Sequence, residues 1–113
     1  MLTGKEKLDL ILKLLENKKA VDIEVIDLTE KSLMCDYFVI CTGTSNIHIR
    51  TLCDTITLDG RKEGLKKSNI EGRSNAKWIL VDFGEVVVHI FDEEERAFYN
   101  LEDLWAKVQP LEK

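Results

Sequence analysis

Residues 77–91 read KWILVDFGEVVVHIF. Two apolar runs, 77–83 and 85–91, are rich in β-branched and aromatic side chains and meet at the turn signal Asp82-Phe83-Gly84. The pattern predicts an antiparallel hairpin. Its register has two solutions. A two-residue turn sets Trp78 opposite His89, whereas a three-residue turn with glycine in the left-handed position sets Trp78 opposite Val88. If helices cover one face of this hairpin, Trp78 and its neighbours are left on the other as an apolar patch of the kind that marks a partner site. The plainer reading makes Trp78 a core residue.

Upstream, residues 37–42 (YFVICT) form a second apolar run, read as a central strand buried on both faces. Gly43-Thr44-Ser45-Asn46 ends it, and Ile49, Leu52, Cys53 and Ile56 then recur at helical spacing up to about 60–64. Ser45 is the expected N-cap. Residues 21–27 (VDIEVID) alternate, with Val21, Ile23 and Val25 facing one way. Residues 3–18 predict a first helix: Leu8, Ile11, Leu12 and Leu15 share a face, and Thr3 with Glu6 makes a capping box. Residues 65–71 suggest a short strand. Asn100 is expected to cap a last helix lined by Leu101, Leu104, Trp105 and Val108. The order α-β-β-α-β-β-β-α gives an α+β or mixed α/β fold: one domain over 1–113, with about five strands in a mixed sheet and three helices.

The chain's 113 residues suffice for one domain, and 44% hydrophobic with 33% charged residues excludes a disordered chain. No run of about 18 apolar residues is present, so no membrane-spanning helix is expected, and the start resembles no secretory signal. Sixteen basic against 21 acidic residues leave a net charge of −5, which disfavours nonspecific nucleic-acid binding and suits a basic protein partner. Cys35, Cys41 and Cys53 form no CxxC pair, which fits a reducing compartment.

Three motifs could carry chemistry. Gly43-Thr44-Ser45, between a strand and a helix, could offer backbone amides to an anion. The small nucleotidyltransferase core uses a similar turn, but it needs two carboxylates spaced D-x-D on the next strand, and residues 65–71 hold only Glu71. The turn also lacks the P-loop spacing. Cys41 and His89, each in an apolar strand, could in principle pair as nucleophile and base, although nothing local supports it. His48 has no second ligand at metal spacing. Asp92-Glu93-Glu94-Glu95-Arg96 reads as a solvated acidic turn, or as an acidic rim facing a basic partner. No catalytic residue, metal or cofactor is expected.

Several stretches together resemble the ribosomal silencing factor family, RsfS, also called Iojap. They are residues 36–40 (DYFVI) with 42–45 (TGTS), Cys41 between them falling at a position the motif leaves free; Glu71-Gly72; residues 78–91; and Arg96-Ala97-Phe98-Tyr99 followed by Leu101-Glu102-Asp103-Leu104-Trp105. The resemblance runs from about residue 4 to 109. It implies a fold related to the nucleotidyltransferase core without its catalytic carboxylates. It also implies a translation repressor rather than an enzyme, one that binds the large ribosomal subunit through ribosomal protein L-fourteen and blocks joining of the small subunit. Plastid and mitochondrial relatives imply an alternative role in large-subunit biogenesis. Carried over by motif, the docking surface is Trp78 and Leu80, with Glu71, His89, Arg96 and Tyr99 beside them. A homodimer is also implied. The short N-terminus argues for a cytoplasmic bacterial member. A minimal nucleotidyltransferase-like enzyme and a homodimeric scaffold with an unrelated partner are the competing expectations.

Overall fold

The structure, a computed structural model, describes residues 2–30, 35–66, 68–101 and 103. Helix α1 (Gly4–Asn17) begins as the capping box requires. Thr3 Oγ1 accepts from the Glu6 amide at 3.1 Å, and the Glu6 carboxylate accepts from the Thr3 amide at 2.9 Å. Its buried Leu8, Ile11, Leu14 and Leu15 face the sheet.

Five strands follow the helix: β1 (Val21–Asp27), β2 (Tyr37–Thr42), β3 (Asn69–Glu71), β4 (Trp78–Asp82) and β5 (Val86–Phe91). They form one mixed sheet in the order β1-β2-β5-β4-β3, in which β2 and β5 run parallel and every other pair is antiparallel. The crossover between β2 and β5 carries α2 (Asn46–Asp54), a π-helical turn (Thr55–Asp59) and α3 (Gly60–Lys62) as one helical run. The expected mixed fold is present.

Strand alternation sorts the sheet into two faces. Val39, Cys41, Ile79, Val81, Val86, Val88 and Ile90 face the helices and form the core with Ile11, Leu15, Ile49, Leu52 and Ile56. Phe38, Ile40, Leu80, His89, Phe91 and Trp78 occupy the opposite face.

Four expectations are corrected. Neither hairpin register holds: Trp78 pairs with Phe91, and Leu80 with His89. The turn is a two-residue one, but its loop is Gly84-Glu85. The Phe83 amide donates to the Val86 carbonyl at 2.9 Å. Gly84, at φ 93°, supplies the positive φ that this turn needs at its first loop position, and Phe83 stays buried in the strand pair.

The alternation of β1 breaks at a bulge. Val21 pairs with Thr42 and Glu24 with Ile40, so three residues of β1 span two of β2. Val21 and Ile23 therefore lie on opposite faces, and Val25 is 40% exposed.

The stretch read as a solvated acidic turn is a helix, α4 (Glu93–Tyr99), whose N-cap is Asp92; its carboxylate accepts from the Glu95 amide at 2.7 Å. Asn100 also ends α4, in the left-handed conformation at φ 49°, and the described residues just after it, Leu101 and Asp103, are helical. The expected helix over 101–108 falls largely outside the described residues. The strand expected over 65–71 is confined to Asn69–Glu71.

Candidate partner-binding face

The face opposite the helices is aromatic. Trp78 stacks on Phe91 with ring centroids 5.0 Å apart, and the tilted ring of Tyr99, at the end of α4, meets Trp78 at 4.7 Å. Phe38 meets the His89 ring edge-on at 4.7 Å. The register sets Glu71, Leu80, His89 and Ile40 side by side across four strands, with Trp78 and Phe91 in the next row. Trp78 and Leu80 are half-buried, while Tyr99 and Phe98 are 44% and 78% exposed. The result is a rigid apolar platform with exposed aromatic edges, the geometry of an interface anchor.

His89 holds this platform in one arrangement. Its Nδ1 accepts from Trp78 Nε1–H at 3.1 Å, which fixes the indole orientation and places the imidazole proton on Nε2. Nε2 is buried and has no hydrogen-bond partner. Burial without a compensating charge lowers the His89 pKa to about 4. The ring is therefore neutral at physiological pH.

The structure brings together five of the six residues carried over by motif. Trp78, Leu80, His89 and Tyr99 are contiguous, and Glu71 ends their row as an exposed carboxylate. Arg96 stands on the same face, beyond Phe91, which pairs with Thr42. Its Nη1 donates to Thr42 Oγ1 at 2.9 Å, which ties α4 to the end of β2. Sequence reasoning missed Phe38 and Phe91 as members of this face. Each sits two positions from Ile40 or His89, so the period-2 rule applied along β2 and β5 finds them.

The remaining candidates are structural. Cys41 and His89 lie on opposite faces of the sheet, Cys41 against Ile90 in the core and His89 beside Ile40, so they form no catalytic pair. Burial pushes the Cys41 thiol up to about 12. His48 bonds through Nδ1 to the Thr44 amide at 2.9 Å, and its Nε2 is 2.8 Å from the Lys18 carbonyl. Two amides of the Gly43 turn are spent internally, Gly43 donating to Phe91 and Thr44 to His48, and in the helix that follows the His48 amide donates to the Ser45 hydroxyl. A Cβ on Gly43 would fall 2.5 Å from Ile49 Cγ1, so close helix packing accounts for this glycine. Strand β3 carries one carboxylate, Glu71. Among the described residues, no group of three or more His, Cys, Asp or Glu is placed to hold a metal ion, and no helix is long and apolar enough to cross a membrane.

A ribosomal silencing factor of Halalkalibacterium halodurans is 33% identical over 111 residues, spanning 98% of this chain and 95% of its own. That of Bacillus subtilis is 41% identical over 90 residues, 80% of this chain and 76% of its own. A crystal structure of a Chromobacterium violaceum protein superposes with a TM-score of 0.89 at 28% identity, over 96% of this chain and 91% of the other. The family described as ribosomal silencing factor during starvation matches residues 2–113. With its five-stranded mixed sheet, its helix-covered core and this match over nearly its whole length, the chain belongs to the RsfS family.

Proposed function

We propose that this protein represses translation by docking its aromatic sheet face on ribosomal protein L-fourteen of the large subunit, where its bulk prevents the small subunit from joining. Membership of the silencing-factor family supports the reading. The observation that carries it to particular residues is the platform of Trp78, Leu80, His89 and Tyr99. Trp78, Leu80 and Tyr99 are partly exposed aromatic and apolar side chains, held by the buried His89, and all four lie on positions of the motifs that resemble the family's. Such a face needs no chemistry, only an anchor and enough area. About 800 Å² per partner suffices for stable binding. Glu71 at the platform edge, Glu93 and Glu94 on α4, and the net charge of −5 favour a basic partner and accelerate the encounter at low salt. The same charge opposes loose adhesion to RNA. No cofactor takes part in the mechanism, and the protein acts as a steric block rather than as an enzyme.

The test is direct binding to purified L-fourteen, followed by subunit joining measured by light scattering. The expected result is saturable binding to L-fourteen, with joining slowed in proportion to large-subunit occupancy. Occupancy without slowed joining would favour the biogenesis role over silencing. Absence of binding to both L-fourteen and large subunits would overturn both readings.

A further inference from the structure

We propose that the free edge of β1 docks an extended, lysine- and arginine-rich segment of a protein partner, which adds to the sheet as another strand. This surface is separate from the aromatic face, and the proposal does not rest on the reading above. Strand β1 ends the sheet on one side and is seven residues long, whereas β3 ends the other side with three. The Leu28 amide donates to the Asp36 carbonyl at 2.7 Å, and the β1–β2 register continues from that pair. Antiparallel alternation then makes Glu24, Ile26 and Leu28 the residues that bond inward, while Val25 and Asp27 turn their backbone groups outward. Among the described residues the Val25 backbone meets no further partner, and its side chain is 40% exposed. An open row of this kind is a template for an added strand.

Charge selects the occupant. Residues 20–30 (AVDIEVIDLTE) carry Asp22, Glu24, Asp27 and Glu30 and no lysine or arginine. At the start of the strand a cleft of about 570 Å³ opens between β1, the Gly43 turn and α4. Asp22, Asp92 and Glu93 line it, with Arg96 as its one cation among the described lining residues. The acidic surface thus runs from the cleft along the edge. Two copies of β1 paired edge to edge would set acid against acid, and a nucleic-acid backbone would be repelled in the same way. A basic extended peptide satisfies both the backbone row and the charge.

The test uses the full chain and a fluorescent eight-residue peptide of alternating lysine and valine. Controls are the glutamate–valine analogue and a lysine–valine peptide interrupted by proline. The lysine–valine peptide should bind and slow amide exchange at Val25 by more than tenfold, and both controls should fail. Val25→Pro should weaken binding by more than tenfold with the β1–β2 ladder intact, because the lost N–H points out of the sheet. If Val25→Pro unfolds the chain, Val25→Lys takes its place; it should weaken binding severalfold, an effect that salt diminishes. Several results would overturn the proposal: equal binding of the proline-interrupted peptide, protection confined to the aromatic face, no binding at all, or a dimer that the Val25 variants dissociate.

Discussion

Replacing Trp78 with phenylalanine removes one hydrogen bond, and the structure says which partner suffers. His89 is 4% exposed and accepts from Trp78 Nε1 at 3.1 Å, while its other ring nitrogen is already unpartnered. Trp78→Phe therefore leaves an imidazole buried with both nitrogens unmet. A buried acceptor stripped of its donor costs about 1–3 kcal/mol. The smaller ring also gives up stacking area against Phe91 and Tyr99, worth about 1 kcal/mol at 25 cal/mol per Å². The single variant should lose about 2–4 kcal/mol. His89→Leu should lose less, because Trp78 is half-buried and water can approach its N–H. The double variant leaves no stranded polar group, so it should be more stable than the sum of the singles predicts, by about 1–2 kcal/mol. Urea denaturation of the four proteins at neutral pH measures all three differences. Additive losses, with no coupling between the two positions, would refute the role given to this hydrogen bond.

Further outcomes follow from other groups. Burial lowers the His89 pKa to about 4 from 6.5, so between those values the unfolded chain takes up a proton that the folded chain refuses. Stability from this group is complete above about pH 6.5 and is lost as pH falls toward 4. Across that window wild type should lose about 3 kcal/mol relative to His89→Leu, read from urea midpoints at several pH values. A Cβ on Gly72, at φ 87°, would fall 2.2 Å from the Trp78 carbonyl oxygen, whereas Gly84, at φ 93°, has open space around it. Gly72→Ala should thus destabilise by clearly more than Gly84→Ala, whose cost is the backbone strain of about 1–3 kcal/mol alone; thermal melts distinguish them. Burial raises the Cys41 and Cys53 thiols to about 12 and about 11, so iodoacetamide at neutral pH should label neither until urea unfolds the chain. Trp78→Ala should weaken large-subunit binding more than tenfold, with circular dichroism confirming the fold and Tyr99→Ala serving as a less disruptive second variant.

The sequence is most legible where signals are local and doubled. Thr3 and Glu6 mark the start of α1 from both sides, and the structure shows both capping bonds. The apolar runs of β2, β4 and β5 announce central strands because both of their faces are covered or packed with aromatic rings. Register was less legible, since placing the loop one residue early moves Trp78 from Phe91 to His89 as its partner. The left-handed glycine belonged at the start of the loop. The β1 bulge is invisible to a period-2 reading, because the extra residue, near Asp22 at φ 50°, is no glycine. Helix α4 was hidden by its charges. Asp92 followed three residues later by Glu95 is a helix-start pattern, and the acidic first turn suits the helix dipole, yet four carboxylates in a row look like a solvated turn. Motif resemblance placed Trp78, Leu80, His89 and Tyr99 correctly as neighbours. It placed Arg96 there as well; the guanidinium donates to Thr42, in the row of Phe91 and Trp78.

The central claim is that this chain acts on the large ribosomal subunit through the aromatic face. Sedimentation of the purified protein with isolated large subunits, isolated small subunits and joined ribosomes, at low and high salt, tests it most directly. The account predicts pelleting with free large subunits alone, weaker at high salt and lost with Trp78→Ala. Pelleting with small subunits or joined ribosomes to the same extent, or undiminished binding of Trp78→Ala, would contradict it.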